Sequence, residues 1–339
     1  MPRLAIATPA SIEAARLGGA LGAEVRVRSR AQDGALIVAP ISGEAILLGA
    51  YQRASSAIDL GIAARDDLRL ARRATGGPAI FAAEGQVFAF IDLRDAGALG
   101  GAADVARVLN RHVRPLLAAL STLASAPATY GGRDFVQIGG HPVAFIGATH
   151  DRATGAVGIE IVVAVSTPFG LDPSLDLAHG AIAPRWLGKT PSSLRATLHR
   201  DVEPSDVVAA IVAAWSALAD EDVVAFESPG LRALPPDAEA PAFTAMTEEA
   251  IGLLGARVEP GTVAIGGDLM TSRGVLDELG RAIVSLGRAP SDLLELGRAI
   301  DVALGPASGA MLIGVRSLAS IEKVVRAAIE AQKGERAGE

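Results

Sequence analysis

Apolar and polar positions divide the chain into short strand-like runs and a few longer helical stretches. Ser11 is placed to cap a short helix running to about Leu21. Glu24–Arg28 alternates and reads as a strand. Ala35–Pro40 and Glu44–Gly49 are apolar runs separated by Ile41-Ser42-Gly43, which predicts a hairpin. Pro78–Ala82 and Gln86–Leu93 predict a second one. Between them, Ser55 or Ser56 can cap a helix to about Arg65, and Leu68–Arg73 is extended. Ala103–Ala124 has helical periodicity with an irregularity at Pro115. Phe135–Ile138, Val143–Thr149 and Val157–Val165 predict three consecutive strands. Pro204–Leu218 is a helix with Pro204 at an N-terminal position and Val207, Val208, Ile211, Trp215 and Leu218 as its apolar residues.

A break in this pattern sets the domain boundary. Ser228–Pro241 holds four prolines in 14 residues, which disfavours helix and central strand and predicts a linker. Residues 1–227 would form one domain and 242–332 a second, with a polar tail from Lys333. The second domain reads as helix (Thr247–Leu254), strand or hairpin (Arg257–Ile265), helix (Ser272–Leu286), helix (Ser291–Leu304), strand (Ala310–Val315) and helix (Leu318–Ala331). Gly255 and Gly287 sit where glycines end helices. The fold class expected is α+β: a mixed sheet with helices, plus a small α+β C-terminal domain.

Composition narrows the function. The chain has 339 residues, half of them hydrophobic, so it can bury a sizeable core in two domains. Aromatics are only 4%, so the core is built from small and branched aliphatics. The net charge of −7 argues against a nucleic-acid partner. There are no cysteines, which excludes disulfides, thiolate metal sites and cysteine nucleophiles. The five histidines have no metal-ligand spacing. No apolar run is long enough to span a bilayer, and the N-terminus lacks the apolar stretch of a signal peptide, so a cytoplasmic protein without a membrane partner is expected. Only three residues are lysines: Lys189, Lys323 and Lys333.

The main candidate for chemistry is Arg72-Arg73-Ala74-Thr75-Gly76-Gly77-Pro78, between two predicted strands. Glycines let backbone approach a ligand closely, successive N–H groups can cradle an anion, and arginine can fork onto phosphate or carboxylate. An ordinary glycine turn with solvated arginines is the plainer alternative. The stretch resembles the ligand loop of the lipoate–protein ligase family, which shares its fold with biotin–protein ligases. That loop carries Arg-Arg, any residue, Ser or Thr, and three glycines, the third of which is Pro78 here. Upstream, Leu47-Leu48-Gly49-Ala50-Tyr51-Gln52 is similar to a strand ending in Gly, Arg, an aromatic and Gln, with Ala50 in place of the arginine. Downstream, Gly85-Gln86-Val87-Phe88 is similar to Gly-Asn-Leu-Asn, and Ala82-Ala83 replaces a His-Asp pair. Arg133-Asp134-Phe135-Val136 and Ala144-Phe145-Ile146-Gly147-Ala148 are similar to a strand pair bearing Lys, Ile, small, Gly, small. Gly261–Leu269 is similar to a strand of the family's accessory domain that ends Ile-x-Gly-Asp-Phe.

The resemblance implies attachment of lipoate, octanoate or a related acyl group to an acceptor lysine through an acyl-adenylate. It implies ATP, with magnesium as a possible companion, and a small lipoyl-acceptor domain as partner. It assigns ligand binding to Gln52, Arg72, Arg73, Thr75, Gly76, Gly77 and Gly147. The family's catalytic lysine contacts the adenylate phosphate and the acyl carbonyl. Aligning its glycine with Gly147 puts Ala144 at that position. Lys189, Arg152 and His150 are the cations that could stand in. Two readings follow: an active ligase, or a catalytically silent homologue acting as an acyl- or nucleotide-binding or regulatory subunit.

Overall fold

The computed structural model describes residues 4–14, 17, 34–94, 105–178, 185–216, 222–223, 240–286 and 293–337. Its strands are β1 (Leu4–Ala7), β2 (Ile12–Glu13), β3 (Gly34–Ser42), β4 (Glu44–Leu48), β5 (Leu70–Arg72), β6 (Ile80–Ala83), β7 (Gln86–Leu93), β8 (Ala128–Tyr130), β9 (Phe135–Ile138), β10 (His141–His150), β11 (Val157–Ala164), β12 (Asp222–Val223), β13 (Ala245–Glu249), β14 (Gly252–Glu259), β15 (Thr262–Gly267), β16 (Met270–Thr271) and β17 (Leu312–Ile313). Its helices are α1 (Ala54–Ala57), α2 (Leu60–Arg65), α3 (Val105–Ala124), α4 (Leu194–Leu198), α5 (Pro204–Ser216), α6 (Val275–Ser285), α7 (Leu293–Leu304) and α8 (Leu318–Ala337).

The frame is a large mixed sheet in the order β12-β1-β3-β7-β11-β10-β9-β8, with β2 added to β3. Its central strands are buried on both faces, and period-two alternation sorts their side chains. Val87, Ala89 and Ile91 of β7, with Ile159, Ile161 and Val163 of β11, face a core closed by α3 and α5. Phe88, Phe90, Val162 and Ala164 face the opposite side, where the small sheet β5-β4-β6 packs. Helix α5 follows its predicted apolar face, with Val207, Ile211 and Trp215 buried. Helix α3 runs through Pro115 without ending.

Both predicted hairpins are corrected. β3 pairs antiparallel with β7, and β4 with β6, so neither run turns back on its neighbour. The chain instead leaves the large sheet at Gly43, whose φ is +65°, and enters the small one. It returns through Gly85, at φ +85°. Two strands turn the same corner together, and partners in sequence become members of different sheets. The predicted helix from Ser55 or Ser56 breaks at Ile58, and Asp59 caps the second piece by accepting from the Ile62 N–H. The helix expected from Ser11 begins instead as β2, and its remainder lies largely outside the described residues, as do the Glu24–Arg28 strand, Gly287 and nearly all of the Ser228–Pro241 linker.

The C-terminal elements form the antiparallel sheet β13-β14-β15, with α6 on β15 and α8 on β13 and β14. The helix predicted over Thr247–Leu254 is a hairpin, and Gly255 lies within a strand. Gly252, at φ +140°, cannot continue a helix. Glu249 gives its carboxylate to the Arg316 N–H, so tertiary hydrogen bonds override local helix propensity. These elements share a core with the large sheet: Ile251, Met270 and Met311 belong to the cluster under α3 and α5.

Candidate active site

The site grows from one feature of β11. Its sequence, Val-Gly-Ile-Glu-Ile-Val-Val-Ala, is apolar except for Glu160, and every residue in it is buried. Glu160 pairs in register with Gly147 on β10. Gly147 has no side chain, and that space is taken by Thr75: a Cβ at position 147 would lie 2.5 Å from the Thr75 hydroxyl oxygen. Thr75 Oγ1 therefore reaches Glu160 and donates to Oε2 at 2.6 Å. Arg73 Nε stands 3.7 Å from Glu160 Oε1. Burial pushes the Glu160 carboxyl up to about 7, offset in part by Arg73 and the Thr75 hydrogen bond. Burial also lowers the Arg73 guanidinium to about 10, against the pull of Glu160 and Asp268.

The arginine pair braces the loop. Arg73 donates to the carbonyls of Leu47 and Pro78, each at 2.8 Å, and lies over the Phe145 ring, 4.4 Å from its centroid. Arg72 donates to the carbonyls of Gly49 and Gln52 at 3.0 and 2.5 Å. Gln52 Oε1 accepts from the Gly49 N–H at 2.7 Å, and its amide nitrogen donates to Asp268. Asp268 also accepts from Arg185 Nε and from the Leu253 N–H, both at 2.9 Å. The structure thus brings Gln52, Arg72, Arg73, Thr75, Gly76, Gly77 and Gly147 to one place.

Their orientation differs from the sequence expectation. As an anion cradle, the Gly76 and Gly77 N–H groups would be turned toward a ligand. They donate instead to the carbonyls of Ala148 and Leu269, at 3.0 and 3.1 Å. Leu269 comes from the C-terminal elements, and a Cβ on Gly76 would sit 2.4 Å from its oxygen. The donors that could cradle an anion are held by protein carbonyls in this arrangement.

Ala144 is also corrected. It was expected to face the loop, but it belongs to the core under α3 and α5. The register shift between Pro142 and Ala144 sets this face. Phe145, Gly147 and Thr149 point toward the loop side. None of the three candidate cations reaches this point. Lys189 donates to Gln137 on β9. Arg152 pairs with Glu278 at the rim of a cleft of about 450 Å³ between α6 and α7. His150 is buried, with Nδ1 2.8 Å from Ser272 Oγ, and burial lowers its pKa. His150 lies six residues along β10 from Ala144, roughly 20 Å at strand spacing.

Several participants were not singled out as site residues. Glu160 was signalled by its position, a lone acid in an apolar strand. Asp134 is fully buried beside Arg133, Nε to Oδ1 3.6 Å, and burial pushes its carboxyl up to about 7. Arg185 and Trp186 gave no signal apart from their nearness to Lys189. Among the described residues, no three acid or histidine side chains converge as a metal site.

Residues 24–216 match the lipoyl protein ligase A/B catalytic domain, and the chain belongs to that family. Among solved structures, it is similar to a bi-partite lipoate protein ligase from Thermoplasma acidophilum, at 16% identity and a TM-score of 0.51, over 67% of this chain and 88% of that one. Plasmodium falciparum LipL1, solved with lipoate, matches at 12% identity and a TM-score of 0.63, over 96% of this chain and 99% of that one. A lipoate-protein ligase A bound with ATP matches at 15% identity and a TM-score of 0.50, over 67% and 89%. No curated protein matches. The LipL1 likeness spans both the large sheet and the C-terminal elements, and the α+β fold with its mixed sheet is that of the lipoate ligases.

Proposed function

We propose that this chain is a catalytically silent member of the ligase family, which binds an acyl ligand or its adenylate and acts as a binding or regulatory partner in protein lipoylation. One observation carries the reading: the loop-facing side of β10 presents Phe145, Gly147 and Thr149, and no ammonium group. Lys189 is the only lysine before Lys323, and it is bonded to Gln137. Adenylation and acyl transfer concentrate negative charge on phosphate and acyl oxygens. A cation aimed at those oxygens lowers the barrier more than it tightens ground-state binding. Removing one such donor typically lowers turnover by about 10²–10³. Arg73 does not substitute, because two carbonyls and Glu160 fix its guanidinium.

Ground-state binding uses different parts. The Thr75–Gly147–Glu160 packing and the arginine bracing keep the loop's shape. Relatives of this fold bind lipoate and ATP, and one is paired with an E2 lipoyl domain. Those ligands and that kind of acceptor are what the reading extends to this chain. The test is to incubate the protein with ATP, octanoate and a lipoyl-acceptor domain, and to weigh the acceptor by mass spectrometry. The reading expects an unmodified acceptor. An acceptor gaining one octanoyl group in proportion to time overturns it and restores the active-ligase reading.

A further inference from the structure

Residues 185–189 form a strap across the face of the large sheet that carries the glycine loop. Each end is tied down. Arg185 pairs with Asp176 and Asp268, and Lys189 donates to Gln137. Between the ties, three successive residues are left-handed: Trp186 (φ 59°, ψ 23°), Leu187 (φ 58°, ψ 33°) and Gly188 (φ 71°). Bulky L-residues disfavour this region, and two in a row persist only where their surroundings hold them. What holds Trp186 is aromatic. Its indole meets Phe169, Phe135 and Phe145 edge-on, with centroids at 5.0, 6.2 and 6.3 Å. Leu187 has no such cover and is 60% exposed.

The indole's place adjoins the loop. Phe145 touches Trp186 on one side and Arg73 on another, and a Cβ on Gly77 would lie 3.2 Å from its ring. Without the indole, the three phenylalanines would wall an apolar slot next to the glycine loop, with the Arg185 guanidinium one residue from its mouth. Asp268 would keep Gln52 and the Leu253 N–H as partners if Arg185 turned to another anion.

We propose that Trp186 is a built-in occupant of a ligand slot, and that the strap opens for a carboxylate or acyl phosphate with a short apolar tail. The proposal rests on the binding half of the reading above. The anionic head takes Arg185 from its carboxylates, a charge-assisted exchange. The tail takes the aromatic walls from Trp186, and the left-handed turn relaxes as the indole leaves.

Trp186 and Trp215 are the only tryptophans, which makes the test direct. In the Trp215→Phe chain, emission reports Trp186 alone. Octanoate is titrated while calorimetry follows binding. A saturable red shift, with at least a twofold rise in acrylamide quenching over the range where heat is released, is the expected result. Trp186→Ala, with the slot already empty, should bind octanoate at least tenfold more tightly than the unmodified chain. If Trp215→Phe does not fold, the difference between the unmodified chain and Trp186→Phe gives the same reading. Octanoate binding with Trp186 emission unchanged overturns the proposal. So does a Trp186→Ala chain that binds no more tightly, or the absence of binding by either chain. None of these outcomes bears on turnover, which is judged separately by pyrophosphate release.

Discussion

Arg73 and Glu160 share one buried site, and each makes the other tolerable there. Losing one partner of such a pair leaves an uncompensated buried charge, which typically costs about 3–5 kcal/mol. Arg73→Met is expected to lose that much stability in denaturant unfolding, and adding Glu160→Gln should recover part of it. A double variant no better than Arg73→Met would show that the hydrogen bonds of Arg73 to Leu47 and Pro78 matter more than the charge pair. The same carboxylates set a pH dependence. Glu160 and Asp134 stand at about 7 in the fold, against ordinary values of 4.5 and 3.8. Between those limits the folded chain binds protons that the unfolded chain does not, so their contribution to stability is lost as pH rises toward 7. His112 opposes this: burial lowers it from 6.5 to about 4, so the unfolded chain takes up its proton first as pH falls. His150, which burial also lowers, acts in the same sense as His112, so the carboxyl contribution is isolated by substitution. Glu160→Gln should lower the stability at pH 5 relative to that at pH 7.5, and an unchanged pH profile would contradict the placement of the raised carboxyl.

Strands and helices were legible where burial left a simple pattern. β9, β10 and β11 are readable as near-continuous apolar runs because both faces meet a core, and α5 is readable because its apolar residues line one face. The corner strands were not, since pairing partners depend on which sheet a residue enters, and β3 and β4 look alike as apolar runs. The hairpin of β13 and β14 was hidden because Glu248 and Glu249 favour helix, while the features that override them, Gly252 and Arg316, act through geometry. The loop's residues were found from the sequence, but their orientation was not. That orientation depends on Leu269, nearly two hundred positions away. The junction of loop and β16 gives a sharp test. Gly76→Ala would press a Cβ against the Leu269 carbonyl and Met270 Cα, backbone that cannot move aside, with an expected loss of about 1–3 kcal/mol or more. Gly131→Ala meets nothing within 4 Å and should stay within about 0.5 kcal/mol of the unmodified chain. Melting temperatures of the two variants check the contrast, and equal values would mean that the loop does not pack against β16 as described.

The whole molecule is tied together through its site. Asp268, Leu269 and Ser272 reach back to Arg185, Gly77 and His150, and Ile251, Met270 and Met311 complete the core beneath α3 and α5. The chain should therefore unfold in one calorimetric transition, and two separated transitions would show that the C-terminal elements are stable by themselves. We propose that the fold keeps its loop but not the turnover. Pyrophosphate release with ATP and either lipoate or octanoate tests this most directly. Release should be indistinguishable from the protein-free blank, with or without an acceptor domain. Sustained release dependent on the acyl acid, at about 1 per second or faster as in ordinary enzymes, would contradict it.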